Sequence, residues 1–175
     1  MGKFLALYDK AVCTLSKIAS FIAGICITIT AFIIFYEIIM RGVFHSPTEW
    51  VLEISTYLIL VAGFLGMAVT LRLKGHIQVD FLTNHLSPRV RCGLEILTTF
   101  LAVLLFFVFM TESTDMVLMS LEFNKLSPTI LRFPLYIPQS ALILGSVLLE
   151  LELIAQLLHA IQAFVSGDFA EERQG

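Results

Sequence analysis

The sequence contains few charged side chains for its length. Asp, Glu, Lys and Arg together make up 14% of its 175 residues, whereas a typical soluble domain carries about 25%. Hydrophobic residues make up 58%, so a water-soluble fold would have too few polar side chains to cover its surface. The charges are also clustered, with long uncharged runs between them. This pattern indicates a chain whose solvent is lipid.

Residues that usually mark catalytic, metal or haem sites are also scarce. Cys13, Cys26 and Cys92 form no CxxC pair, which argues against a disulfide framework or a zinc site. The sequence has no HExxH, GxSxG or P-loop motif. The four histidines fall in predicted loops or near helix ends, so none is available mid-helix for a membrane b-type haem. We therefore expect no enzyme activity and no catalytic, cofactor, metal or substrate-binding residue; the net charge of −3 also argues against nucleic acid as a partner.

Four uncharged apolar runs, each 16–19 residues long, cover residues 18–36, 54–71, 96–111 and 133–149. A membrane-spanning helix needs about 20 mainly apolar residues, and charged side chains at its ends can reach the interface. We predict an all-α polytopic membrane protein with short amphipathic interfacial helices. It forms a single membrane domain over residues 1–175, with transmembrane helices at about 18–40, 48–72, 90–115 and 134–162.

The segments before the first run and after the last are more polar. Lys3, Lys10 and Lys17 recur every seven residues, which is typical of an amphipathic helix. Segment 1–17 is therefore predicted to lie on the membrane or to lead into the first transmembrane helix. Residues 166–175 are predicted to be a polar, disordered tail.

Proline and hydroxyl residues mark the expected helix starts. Ser46-Pro47-Thr48-Glu49 has the pattern of a capping box with proline at the first helical position. Ser87-Pro88 repeats the cap-and-proline signal before the third run. Pro134 and Pro138 are expected to delay the start of the fourth helix.

The distribution of Lys and Arg predicts the orientation of the chain. If the N-terminus is cytoplasmic, eight of the 11 Lys and Arg residues lie on the cytoplasmic side. Positive residues favour that side of a membrane. Because four helices return the chain to its starting side, we expect both termini in the cytoplasm.

Charged residues at the predicted helix ends are candidate functional residues, because ionisable groups are costly in a membrane. Arg41 could pair with Glu37, Glu53 or Glu49. An interfacial ion cluster that fixes the first two helices is one interpretation, and a transported-ion site is the alternative.

Glu150 and Glu152 are unusual because they lie within the fourth apolar stretch. Two residues apart on a helix, they point about 200° apart and cannot share one ligand. We expect at least one of them to face a protein partner or to reach the inner interface.

Two features of the second helix and the loop after it could contact another protein. Ala62, Gly63 and Gly66 supply the small side chains that close helix packing requires, either within the four-helix unit or against a partner. Residues 75–82 combine apolar side chains with His76 and Asp80. They are interpreted either as a short interfacial elbow or as a docking element for a second membrane subunit.

Several short motifs occur in a fixed order along the chain. They are Arg41 with Phe44, Trp50 with Glu53, Phe64-Leu65-Gly66, the segment from Gly75 through His76 to Asp80, Leu86 with Pro88 and Arg89, and the prolines Pro134 and Pro138. This ordered set resembles the small membrane subunit (Q-type, DctQ-like) of tripartite ATP-independent periplasmic (TRAP) transporters. The resemblance is firmest over residues 41–91. The family often has two adjacent acids after the Trp, whereas this chain has Val51 and Leu52 before Glu53.

The resemblance implies a non-catalytic subunit that extends and stabilises the scaffold of a large elevator-type membrane subunit. Such systems take up organic acids, driven by an ion gradient, from a periplasmic binding protein. The implied location is the bacterial inner membrane, and the implied partners are the large subunit, the binding protein and membrane lipids. The residues implied to be structural or interfacial are Arg41, Trp50, Glu53, Gly66, Gly75, His76, Asp80, Pro134 and Pro138.

Two other functions are compatible with four apolar helices. A small homo-oligomeric channel or transporter would need polar residues at the membrane midplane, for which Thr28, Thr30 and the region of Glu150 are candidates. A membrane anchor subunit of another complex, such as a redox enzyme, is the second alternative.

Overall fold

The computed structural model describes residues 2–73 and 88–166. These residues form four long helices: α1 (Gly2–Gly42), α2 (Glu49–Arg72), α3 (Pro88–Glu122) and α4 (Tyr136–Ser166). All four are long and apolar enough to cross a membrane. The predicted all-α class with four transmembrane helices is therefore confirmed.

Helix α1 joins the N-terminal amphipathic segment and the first apolar run into one element. It has 41 residues and is therefore about 60 Å long, roughly twice the thickness of a bilayer's hydrocarbon core. Its N-terminal turns therefore extend past the core, or the helix tilts. Of the two alternatives for this segment, the structure has the one in which it leads into the first transmembrane helix.

The start of α2 differs from the predicted capping box. The helix begins at Glu49 after the N-cap residue Thr48, whose side chain makes no capping hydrogen bond. Pro47 therefore precedes the helix and is not its first residue. The predicted capping box does not form. The Thr48 hydroxyl donates its hydrogen bond to Glu37 of α1 instead, so a contact between helices replaces the local cap.

The ends of α3 and α4 follow from proline positions. Pro88 is the first residue of α3, which continues past Asp115 to Glu122. Pro134 precedes α4, but Pro138 lies in its first turn, where the missing N–H is tolerated. Between these helices, Leu126 and Pro134 form an isolated antiparallel bridge.

The helices pack in the spatial order α1, α2, α4, α3. Small side chains line the contact of α1 with α2, and larger ones join α2 to α4 and α3. At the α2–α4 contact, a Cβ added to Gly145 would lie 2.6 Å from the Phe64 Cβ, so the backbones meet there. The first cluster contains Ala19, Ala23, Cys26, Ala62 and Leu65, and the second contains Ala68, Leu149 and Leu153 with Ala102, Val103 and Phe106 packed against them.

Candidate functional site

Polar contacts concentrate at the two ends of the helix bundle. The hairpin end comprises the α1–α2 turn (residues 43–48) and the α3–α4 loop (residues 123–135). The terminal end comprises the starts of α1 and α3 and the ends of α2 and α4. Between them, apolar side chains dominate the outer surface.

At the hairpin end, Glu37 ties the end of α1 to the start of α2. Its Oε1 accepts hydrogen bonds from Arg41 Nη2 at 2.7 Å and Arg41 Nε at 3.1 Å. Its Oε2 accepts one from the Thr48 backbone N–H at 3.1 Å and one from the Thr48 hydroxyl. The ion pair predicted for Arg41 is thus confirmed, with Glu37 as the partner. This contact fixes the geometry of the α1–α2 turn.

Glu53 does not pair with Arg41 and instead holds the α3–α4 loop. It is buried and accepts hydrogen bonds from the Tyr57 hydroxyl at 2.7 Å and from the Thr129 hydroxyl. Thr129 in turn contacts Ser127 Oγ at 2.7 Å. The carboxylate thereby anchors the loop on α2. Sequence reasoning missed both loop residues, since nothing local to Thr129 indicates a partner 76 positions away.

Trp50 and Tyr57 add aromatic contacts on either side of this end. The Trp50 ring packs against Tyr36 of α1, with ring centroids 6.1 Å apart. The Tyr57 ring packs against Phe133, with centroids 5.4 Å apart. Trp50 therefore helps to join α1 to α2, and Tyr57 joins α2 to the α3–α4 loop. The roles of Trp50 and Pro134 toward a partner stay a prediction.

At the terminal end, Glu152 forms a buried ion pair that sequence reasoning missed. Its Oε1 lies 2.8 Å from Arg72 Nη1 and accepts a 2.5 Å hydrogen bond from Ser16 Oγ. Arg72 Nη2 also donates to the Asp9 carbonyl at 3.3 Å. One carboxylate thus joins α1, α2 and α4. The sequence could have indicated this pair, because Arg72 ends the second apolar run on the same side of the membrane as Glu150 and Glu152 in the fourth.

Glu150 is buried as well but lacks this partner. Within the described ranges, its Oε2 has no hydrogen-bond partner. Glu150 and Glu152 therefore differ as their spacing predicts, since only Glu152 points toward Arg72. Among residues 2–73 and 88–166, no cluster of His, Cys, Asp and Glu could hold a metal ion.

The exposed face of α2 carries small side chains at regular spacing. We call it the α2 stripe: Leu52, Thr56, Ile59, Gly63, Gly66 and Thr70. The spacing alternates between three and four residues, which places all six on one helical face. The hydroxyls of Thr56 and Thr70 bond to carbonyls one turn back, so neither exposes an unpaired donor. The stripe is therefore shallow and nearly apolar.

The structure divides the small residues predicted to share one face. Ala62 is buried against α1, whereas a Cβ added to Gly63 or Gly66 would meet nothing within 4 Å in the described part of the chain. No described residue packs against the Cβ position of Gly66, which favours the partner interpretation over packing inside the four-helix unit. Gly75, His76 and Asp80 lie outside the described residues, so the structure says nothing about their arrangement.

Four apolar helices with polar groups bonded across the chain define a polytopic membrane protein. Comparison with known proteins specifies its family. The sequence model of the DctQ component of tripartite ATP-independent periplasmic transporters matches residues 30–163. The chain belongs to this family and is a non-catalytic small permease subunit.

Two curated proteins of Haemophilus influenzae are similar to this chain. The sialic acid TRAP transporter permease protein SiaT of strain 86-028NP is 32% identical over 92 residues, which cover 53% of this chain and 14% of SiaT. A putative TRAP transporter small permease protein of strain ATCC 51907 / DSM 11121 / KW20 / Rd is 25% identical over 147 residues, covering 82% of this chain and 89% of that protein. The segment similar to this chain is thus a small part of SiaT.

Proposed function

We propose that this chain is a fixed extension of the transporter scaffold and that the α2 stripe docks on the large permease subunit. The observation that carries this proposal is the open space at Gly63 and Gly66. Helices in lipid associate closely where small residues allow their backbones to approach. A partner helix can therefore lie against this face of α2 at short range.

A scaffold role without substrate contact agrees with how the carboxylates are used. Glu37 and Glu152 bond to arginines of this chain, and Glu53 bonds to its hydroxyls. Of the polar groups that a channel would need, Thr28 and Thr30 donate to carbonyls of their own helix, and Glu150 is buried within the bundle. Substrate binding and ion coupling are therefore assigned to the large subunit. SiaT is named for a sialic acid, which supports an organic acid as substrate, delivered here by a periplasmic binding protein.

Substituting Gly66 tests the docking face. Gly66→Leu should leave the chain folded, because its Cβ position is open, but should hold the partner helix away. Overpacking of a close contact costs about 1–3 kcal/mol, and 1.4 kcal/mol is a factor of about ten. We expect co-purification of the large subunit to fall about tenfold. Uptake into reconstituted vesicles should fall in parallel.

The matched control is Gly24→Leu. Gly24 is also an open helical glycine, but it lies on α1, so assembly should be retained. The same loss in both variants would contradict docking through α2. An intact Gly66→Leu complex with altered substrate affinity would instead indicate that this chain binds substrate. Loss of assembly on combined His76→Ala and Asp80→Ala substitution would extend the docking surface to the elbow.

We propose that the hairpin end faces the periplasm and both termini face the cytoplasm of the bacterial inner membrane. The positive residues support this orientation. In a variant with Cys13, Cys26 and Cys92 replaced by Ala, a cysteine at Ser46 or Lys125 should react with an impermeant maleimide from outside. One at His76 or Arg173 should react only after lysis. Labelling at His76 in intact cells would reverse the orientation.

A further inference from the structure

A groove between α1 and α2 opens to the outside of the bundle at the hairpin end. Its volume is about 340 Å³. Exposed isoleucines form much of its walls, with Ile34 and Ile38 on α1 and Ile59 on α2. Arg41, its partner Glu37 and Thr48 lie at its mouth. The groove thus has a charged mouth and an apolar interior.

The length of the groove along the helix axis matches the thickness of one leaflet of a bilayer. Its lining on α2 runs from Thr48 to Ile59, and eleven residues of α-helix rise about 16 Å. The hydrocarbon core of a bilayer is about 30 Å thick, so one leaflet contributes about half of that. An amphiphile aligned with the surrounding lipids would fit this length.

Hydrogen bonding at the mouth favours an anion. A carboxylate has about four acceptor positions and an arginine has five N–H donors. Glu37 already accepts four bonds, two from Arg41 and two from Thr48. Within the described residues, Arg41 donates to no acceptor but Glu37, and its side chain is 70% exposed. The guanidinium therefore has donors left for an anion, and phosphate suits them well.

A second polar group lies deeper in the groove. Ser55 lines it and is buried, and its Oγ has no hydrogen-bond partner among the described residues. The neighbouring Thr56 does have one, the Leu52 carbonyl at 2.7 Å. Ser55 lies about 10 Å below Thr48 along the helix. The ester carbonyls of a glycerolipid lie on the acyl side of its phosphate and could accept a hydrogen bond from this hydroxyl.

We propose that the groove binds one phosphoglyceride of the leaflet at the hairpin end. Its phosphate accepts hydrogen bonds from Arg41, and an ester carbonyl accepts one from Ser55 Oγ. An acyl chain lies along Ile38, Ile34 and Ile59. A partner helix is about 10 Å wide and would lie across the groove, whereas a single acyl chain is narrow enough to lie within it.

The groove includes Leu52, Thr56 and Ile59 of the α2 stripe. The lipid therefore occupies that half of the stripe and leaves Gly63, Gly66 and Thr70 for the large subunit. This binding goes beyond the scaffold role and does not depend on docking through Gly66.

Native mass spectrometry of the full-length chain in detergent tests the proposal. After delipidation, palmitoyl-oleoyl phosphatidylglycerol or phosphate-free dioleoylglycerol is added at increasing concentration. We expect one tightly bound phosphatidylglycerol per chain and at least tenfold weaker binding of dioleoylglycerol. Arg41→Gln should weaken phosphatidylglycerol binding about tenfold by removing the charge-assisted bonds. Ile59→Trp should weaken it comparably by filling the groove while leaving the Arg41–Glu37 pair intact.

Two control variants lie outside the groove. Arg132→Gln removes an exposed cation at the same end, and Phe107→Trp changes an exposed apolar residue of α3. Both should bind phosphatidylglycerol as the unsubstituted chain does. Equal binding of dioleoylglycerol, equal loss in Arg132→Gln and Arg41→Gln, or full retention in Ile59→Trp would each overturn the proposal. If Arg41→Gln folds poorly, Ile59→Trp still tests the proposal, because it keeps the Arg41–Glu37 ion pair.

Discussion

The exposed faces of α2 and α3 are both apolar but differ in side-chain size. The α2 stripe has glycine or threonine at four of its six positions. The outward face of α3 has large side chains instead: Phe100, Leu101, Leu104, Leu105, Phe107 and Val108. Lipid solvates large apolar side chains without a protein partner, whereas small ones are required where two helices approach closely. The difference supports the proposed docking through α2 and favours α3 as a lipid-facing helix.

The two helices also differ in how firmly the chain holds them. Helix α2 contacts both α1 and α4, and α3 packs mainly on α4. Over an 18-residue apolar stretch of each helix, 11% of the residues of α3 are buried, against 22% for α2. Polar contacts fix α2 at both ends, through Thr48 and Arg72. A docking surface on α2 is thus held in place by the rest of the chain.

The largest expected effect comes from releasing the terminal end of α2. Glu152→Ala leaves Arg72 without its carboxylate, and removing one partner of a buried pair costs about 3–5 kcal/mol. The loss should lie near the lower limit, because Arg72 is 29% exposed. Thermal unfolding of the purified chain should show the loss.

A double variant serves as its control. Arg72→Met with Glu152→Leu leaves no unpaired charge and should recover much of the stability. If Glu152→Ala were as stable as the unsubstituted chain, the ion pair would not hold α2 in place. The comparison between α2, which polar contacts fix at both ends, and α3, which packs mainly on α4, would then fail.

A smaller effect should follow from separating α2 and α4. Gly145→Ala places a Cβ against the Phe64 backbone and Cβ, where the nearest atom is 2.6 Å away. Overpacking of this kind costs about 1–3 kcal/mol. Gly24→Ala should instead raise the free energy of unfolding, because replacing an open helical glycine by alanine stabilises a helix by about 0.5–1 kcal/mol. Equal unfolding temperatures for the two variants would argue against the close α2–α4 approach.

Uncharged length was enough to predict four long helices, but the prolines did not mark every helix start. The four apolar runs predicted four transmembrane helices, and Pro88 marks the start of α3. These signals are local, since they depend on the hydrophobicity and backbone chemistry of neighbouring residues. The family resemblance was likewise carried by short motifs and is confirmed by the match over residues 30–163.

Contacts between distant segments were harder to predict. The bonds of Thr48 to Glu37 and of Thr129 to Glu53 depend on how the turns bring helix ends together. Ala62 and Gly66 lie only about 40° apart on the helix, so sequence alone could not place the edge of the α1 contact between them. The pairing of Arg72 with Glu152 was within reach, because opposite charges at similar depth in neighbouring helices attract strongly.

Site-specific photocrosslinking tests most directly whether α2 is the docking face. Benzoyl-phenylalanine would replace Thr70 on the α2 stripe or Leu101 on α3, in the full-length chain co-expressed with the large subunit. The two positions lie at similar depth, since the adjacent Leu71 and Ala102 pack against the same cluster. The account predicts a crosslink to the large subunit from position 70 and none from position 101. A crosslink from position 101 with none from position 70 would contradict it.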